Sequence, residues 1–200
     1  MYAVLLTALL KFILIDWLMM RAFYIAGISL FWLIYILYRF SVNRNALSFG
    51  GFKKEFLIKT IIFLSPLVFL SIIVSILYGY FKNGLLITWS IIPILILYPM
   101  WGIIQQYLML GIISQSLLTI LEAERKRFVI IFLVSFFFGL IHYPTYFLMI
   151  FTFIMEVVFI TVYFKWRNLW AIGIAHGWIA TFLLYYVLER DLWTELFQLF

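Results

Sequence analysis

Seven apolar runs, most of them as long as a bilayer demands, divide this chain from end to end: residues 2–20, 22–40, 57–79, 84–120, 128–142, 145–164 and 170–188. A helix needs ~20 consecutive apolar residues to cross a hydrocarbon core ~30 Å thick. Such runs cannot be hidden in a water-facing globule of 200 residues, because 68% of the side chains are hydrophobic and only 11% are Asp, Glu, Lys or Arg. Soluble domains are roughly 45–50% apolar and about 25% charged. The chain therefore reads as all-α, a polytopic transmembrane helix bundle forming one membrane domain over residues 1–200, with the lipid bilayer as its first partner. The formal charge of +6 is spread over several loops without a dense basic cluster. It reads as topology-setting charge and excludes nucleic acid as a partner. With no cysteine, thiolate nucleophiles and Cys-based zinc sites are excluded as well. The first run lacks a basic n-region and a small-residue cleavage site, so it reads as a retained span rather than a signal peptide.

The run 84–120 is too long for one straight crossing. Its 37 residues would measure roughly 55 Å at ~1.5 Å per residue. Pro93 and Pro99 lie inside it, and proline kinks or breaks helices. It is either two helices or one bent helix, which makes seven or eight spans in all. If it crosses once, the loops at 41–55, 122–127 and 165–168, all net basic, share one side, and the acidic tail from Glu189 falls opposite. Basic loops collect on the cytoplasmic side. The expected location is a bacterial plasma membrane.

Ionisable groups at membrane depth are functional suspects. Lys59 starts its run and can snorkel to the interface. Lys11 and Asp16 are five residues apart, off the i,i+3 and i,i+4 spacings that pair side chains on an α-helix, so each is expected to find partners elsewhere. Glu156 is the one acid deep in the later runs. It is a candidate carboxylate for chemistry, and is expected to pair with His142 or His176.

The two histidines sit in dense local patterns. Phe138 and His142 are four residues apart on one helix face, and Pro144 then bends or ends that helix. His176 lies between Gly173 and Gly177, a small-xxx-small pair that admits a neighbouring backbone. Gln105 and Gln106 are adjacent amides in an apolar run and point ~100° apart, so at least one faces other helices. Amides at such a position serve as interhelical hydrogen-bonding groups.

Together these segments resemble the CAAX protease and bacteriocin-processing (CPBP, or Abi) family of intramembrane peptidases. That family carries Glu-Glu-x-x-x-Arg, Phe-x-x-x-His and His-x-x-x-Asn motifs on separate helices. Here Gln105-Gln106 stands at the Glu pair and Leu110 at the Arg; Phe138 to His142 matches in full; His176 matches, and Ala180 replaces Asn. The segment Arg167 to His176 is also similar to the family's approach to its last histidine. The likeness covers about residues 90–182, and residues 1–80 supply N-terminal spans. It implies a hydrolase in which the first Glu is a general base on water and the histidines bind water, oxyanion or a divalent metal such as zinc. The metal ligands would then be His142 and His176. Glutamine cannot accept that proton, and the joint loss of Glu and Arg avoids an unpaired buried charge. The resemblance thus implies a pseudoprotease whose catalytic positions, Gln105, Gln106, His142 and His176, bind a lipidated or membrane-inserted peptide. Two rivals stand beside it: a working endopeptidase using His142, His176 and Glu156 or a metal-bound water, and a small transporter or membrane-complex subunit.

One geometric tension accompanies this reading. Counted along straight helices from the basic loops, Gln105 and His142 sit roughly 20–25 Å in, and His176 only ~9 Å. A composite site requires one depth.

Overall fold

Leu, Ile, Phe and Val cover every side of most of these runs, a pattern that leaves a helix nowhere to turn except toward other helices or lipid. The computed structural model describes residues 1–84, 88–121 and 126–197, and all regular structure among them is helical. Helix α1 (Tyr2–Lys11) continues into a wide π-helical turn, Phe12–Trp17. Next come α2 (Arg21–Val42), the short α3 (Arg44–Gly50) and α4 (Leu57–Asn83). Helix α5 (Ile91–Gln106), a π-helical stretch Tyr107–Ser114 and α6 (Gln115–Ile120) run on without a break as one 30-residue rod, so this part of the long apolar run is one candidate span. Then follow α7 (Arg127–Leu140), α8 (Tyr146–Trp166), α9 (Leu169–Phe182) with a π-helical end Leu183–Val187, and α10 (Leu192–Phe197). Among the described residues five helices are long and apolar enough to cross a membrane, and α7 is a shorter apolar helix. Seven or eight such spans were expected; the segment at 2–17 and α7 fall short of the usual length.

The centre of the bundle is the pair α5 and α9, which approach backbone to backbone. A Cβ on Gly173 would lie 2.5 Å from the Ile103 Cα, and one on Gly177 would run into the Pro99 Cα. Gly102 faces the same seam from the other side, against Gly173 and Gly177. Around the seam lie Leu64 of α4, Leu110 and Ile113 of the long rod, Ile130 and Val134 of α7, and Phe159 and Ile160 of α8, all buried.

The two ends of the bundle are chemically different. At one end Asn168 is fully buried and caps α9, accepting from the Ala171 N–H (3.1 Å). Its amide donates to the carbonyls of Lys53 (2.8 Å) and Glu55 (3.0 Å), and Leu169 N–H donates to Gly51. Gly51 has φ +110°, and a Cβ there would meet Tyr163 at 3.0 Å, so this turn requires glycine. Arg167 reaches Gln115 from the same end. The loops at 41–55 and 165–168 are thus neighbours; residues 122–125 of the third basic loop lie outside the described residues. At the other end Asn83 donates to Glu189 (2.8 Å), Ser90 to Asp191 (2.7 Å) and Arg21 to Glu195 (3.1 Å). The acidic tail therefore lies opposite the basic loops.

Lys11 and Asp16 correct the reading of the first helix. They pair with each other at 2.6 Å. Five residues turn ~140° around an α-helix, but the π-helical turn that starts at Phe12 has i→i+5 geometry and brings the two to one side. Lys11 also donates to the Tyr143 carbonyl at 2.5 Å, which draws α1 against the turn that follows α7.

Candidate functional site

The long rod delivers Gln106 to the middle of the bundle, where its side chain is 0% exposed. Its Nε2 carries two hydrogens and uses both: one is donated to Glu156 Oε2 of α8 (2.8 Å), the other to His176 Nδ1 of α9 (3.0 Å). Because an amide NH2 can only donate, His176 Nδ1 is the accepting nitrogen and the ring's hydrogen sits on Nε2. Glu156 is 0% exposed and His176 3% exposed. One oxygen of each side-chain carbonyl group, Gln106 Oε1 and Glu156 Oε1, is buried without a partner among the described residues.

His142 joins this group through an aromatic ring. Phe138 of α7 is fully buried. It presents its ring to His142 at 5.2 Å and to His176 at 5.5 Å, both in edge-on geometry. Phe159 tilts against the other side of His176 at 6.2 Å. His142 Nδ1 lies 2.8 Å from the Phe138 carbonyl. A carbonyl can only accept, so this nitrogen donates and Nε2 carries the lone pair. Thr152 Oγ1 stands 3.3 Å from the same Nδ1. The turn His142–Thr145 contains a cis Tyr143–Pro144 bond, and Lys11 donates to its Tyr143 carbonyl.

For the Gln106 amide and His176 the depth tension resolves in the way the rod ends. Arg167 and Gln115 touch, so they mark a common level at the basic end. Gln106 is nine residues from Gln115, and His176 is nine from Arg167, which puts both ~14 Å in. The rod overshoots that level through α6, and counting from the loop at 122 overestimated the depth of Gln106.

Of the residues singled out in the sequence, Gln106, Glu156 and His176 form one hydrogen-bonded group, and His142 flanks it across Phe138. Gln105 is only partly buried and makes none of these bonds. The expected direct pairing of Glu156 with a histidine is not made; the Gln106 amide stands between them. Leu110 is 0% exposed, packed in the core where a cation would need an acid. A resident metal does not fit these residues. Protein zinc sites use three or four ligands. No group of three His, Cys, Asp or Glu suited to a metal ion occurs among the described residues, and the Phe138 ring packs against both imidazoles.

Sequence reasoning missed Thr152 and the contact of Lys11 with the His142 turn, since neither has a local signature. It also passed over the capping role of Asn168, which an Asn directly ahead of an apolar run signals. A separate cavity of about 240 Å³ lies at the acidic end, lined by residues that include Asn83, Thr88, Tyr185 and Glu189, away from the histidines.

Residues 87–182, just under half of the chain, match the family model described as type II CAAX prenyl endopeptidase Rce1-like. This is the family whose motifs the region resembles, and the match spans Gln106, His142, Glu156 and His176 alike. No curated protein matches the chain, and no solved structure does.

Proposed function

We propose, for an integral membrane protein whose residues 87–182 carry the Rce1-like region of the CPBP family, that the peptidase site has become a neutral binding site. In this reading it holds a lipidated or membrane-inserted peptide and cuts it weakly or not at all. The observation that carries the reading is Gln106, which lies at the centre of the group and is tied down as a donor to Glu156 and His176. An amide in that role cannot take a proton from water, and Gln105, at the position where the resemblance puts the general base, is an amide too. The substituted positions also agree with one another: Leu110 is packed among apolar side chains, where the family's arginine would face no acid from its own helix. The peptide would approach from His142, the one member of the group that is only partly buried, beside the exposed Tyr143. Seven crossings are part of the same reading, with 2–17 and α7 as short spans. That number is consistent with the contacts that put the loops at 41–55 and 165–168 at one end of the bundle and Glu189 at the other.

Glu156 favours a second reading. It is a fully buried carboxyl group with one oxygen unpartnered, on the helix between the two histidines. In an endopeptidase it would take the proton of the attacking water and return it to the leaving amine. One experiment separates the two. The detergent-purified chain is incubated with a farnesylated Cys-a-a-X peptide, and capture and cleavage are followed together. Capture without cleavage, weakened by His142→Ala and by His176→Ala, is the expected result. Cleavage that disappears in both His142→Ala and Glu156→Gln would replace the first reading with the second.

A further inference from the structure

The basic end carries a feature that the peptide site does not use. Lys53, in the turn after α3, lies over the Phe56 ring at 5.8 Å, and Lys59, in the first turn of α4, lies over the same ring at 5.6 Å. One helical turn further on, Phe63 stacks edge-on against Trp166 (5.1 Å), and Lys165 sits over both rings, at 6.0 and 4.6 Å. Three ammonium groups and three aromatic rings therefore form one strip across the start of α4 and the end of α8. Among the described residues none of these lysines has an acid partner. The salt bridges between described residues, Lys11–Asp16, Arg21–Glu195, Lys82–Glu189 and Arg190–Glu195, all lie toward the opposite end. The described acid nearest in sequence, Glu55, is exposed and makes no salt bridge with them.

Below the lysines the surface is continuous and apolar. Ile58 and Ile62 are each 65% exposed and Phe69 is 64% exposed, so α4 shows an uncovered face directly beneath the cations. A ligand matching both features has an anionic head and an apolar tail. Free phosphate would satisfy only the ammonium groups, and an acidic peptide would leave the α4 face bare. Aromatic rings beside lysines at the rim of a lipid-facing helix also suit the headgroup layer, where an amphipathic ring is most at home.

We propose that this strip is a binding site for an anionic phospholipid, with the phosphate among Lys53, Lys59 and Lys165 and an acyl chain along the exposed face of α4. Juxtamembrane lysines contribute ~1 kcal/mol each toward anionic lipid, about a fivefold change apiece. The test uses the full chain, purified in detergent and loaded with phosphatidylglycerol or phosphatidylcholine, with retained lipid counted by native mass spectrometry. Phosphatidylglycerol should be retained preferentially. The preference should fall about fivefold in each of Lys53→Gln, Lys59→Gln and Lys165→Gln, and remain in Lys82→Gln at the opposite end. The single variants keep the test valid even if the triple variant fails to fold, and elution volume reports folding for each. Equal retention of the two lipids, or full retention in all three single variants, overturns the proposal. Displacement of the lipid by inorganic phosphate would overturn it too, by marking a simple anion site.

Discussion

The helix pair α5 and α9 and the helix α2 are both apolar segments of one membrane protein, yet they relate to their surroundings in opposite ways. In the span Leu169–Val187, 61% of the most apolar window is buried inside the protein; in Phe23–Val42 the share is 11%. The difference follows from side-chain size. Gly102, Gly173 and Gly177 let two backbones meet, and van der Waals packing is the main drive for association where lipid is as apolar as leucine. Helix α2 has no such seam. It is attached by particular groups instead: Tyr24 donates to the Thr7 carbonyl (2.9 Å) and Trp32 to the Thr7 hydroxyl (3.2 Å). The region matching the family thus contains the tightly packed centre of the bundle, and α2 is joined to α1 by these two hydrogen bonds.

The glycine seam offers the harshest test of that contrast. Gly177→Val would place a side chain on the Pro99 backbone. With no flexible atom to yield, the loss should exceed ~3 kcal/mol, at the upper end of overpacking. Thermal unfolding in detergent would register it, and a variant that melts within a degree or two of the wild type would refute the seam. Next in size is Gln106→Leu, which strips Glu156 Oε2 and His176 Nδ1 of their common donor. Each buried group left unsatisfied costs ~1–3 kcal/mol. The double change Gln106→Leu with Glu156→Leu should recover much of that loss, and a simple sum of the two single effects would speak against a shared contact.

Smaller effects belong to the attached regions. Trp32→Phe removes one hydrogen bond to Thr7 and should cost about 1 kcal/mol, read as easier proteolysis of the first helix rather than as global unfolding. Helix α10 is tied down by acids. Burial alone would raise the carboxyl of Glu195, but Arg190 and then Arg21 outweigh it and hold it below the usual carboxylate range. Asp191 behaves alike: burial raises it, and the Ser90 hydroxyl with the N–H groups of Thr194 and Trp193 brings it below its ordinary value. With folded values depressed, this support is fully present above the unfolded value, ~4, and is lost as pH falls through the folded values. The Trp89–Trp193 contact (5.7 Å) supplies the signal: Trp fluorescence should stay flat from neutral pH downward and change only in the acid range. A transition near neutral pH would contradict the assignment. Gly27→Ala closes the series. A Cβ there has nothing within 4 Å, so the change should stabilise α2 by about 0.5–1 kcal/mol, opposite in sign to Gly177→Val.

What could be read from the residues was whatever is local and chemical. Apolar runs separated by short charged segments specified the helices, because a bilayer span has a fixed length and intolerance of charge. Pro144 marked the turn after α7, and Gly173 and Gly177 marked a close helix contact. That Ile91–Ile120 forms one continuous helical rod follows from packing: Pro99 is accommodated against Gly177, so the rod runs on without a break. The site was legible as a set of polar residues in apolar surroundings. Its wiring was not. Which of two adjacent amides faces inward depends on helix rotation, and rotation is set by the α5–α9 seam. That seam turns Gln106 toward Glu156 and His176 and leaves Gln105 at the side. The pairing of Lys11 with Asp16 likewise depends on a π-helical turn that no periodicity of the residues announces. Sequence by itself determined that this chain lives in a bilayer and which side chains would be costly there; only the tertiary structure decided which of them satisfy one another, because hydrogen bonds between helices depend on rotation and depth, and those are properties of the packed bundle.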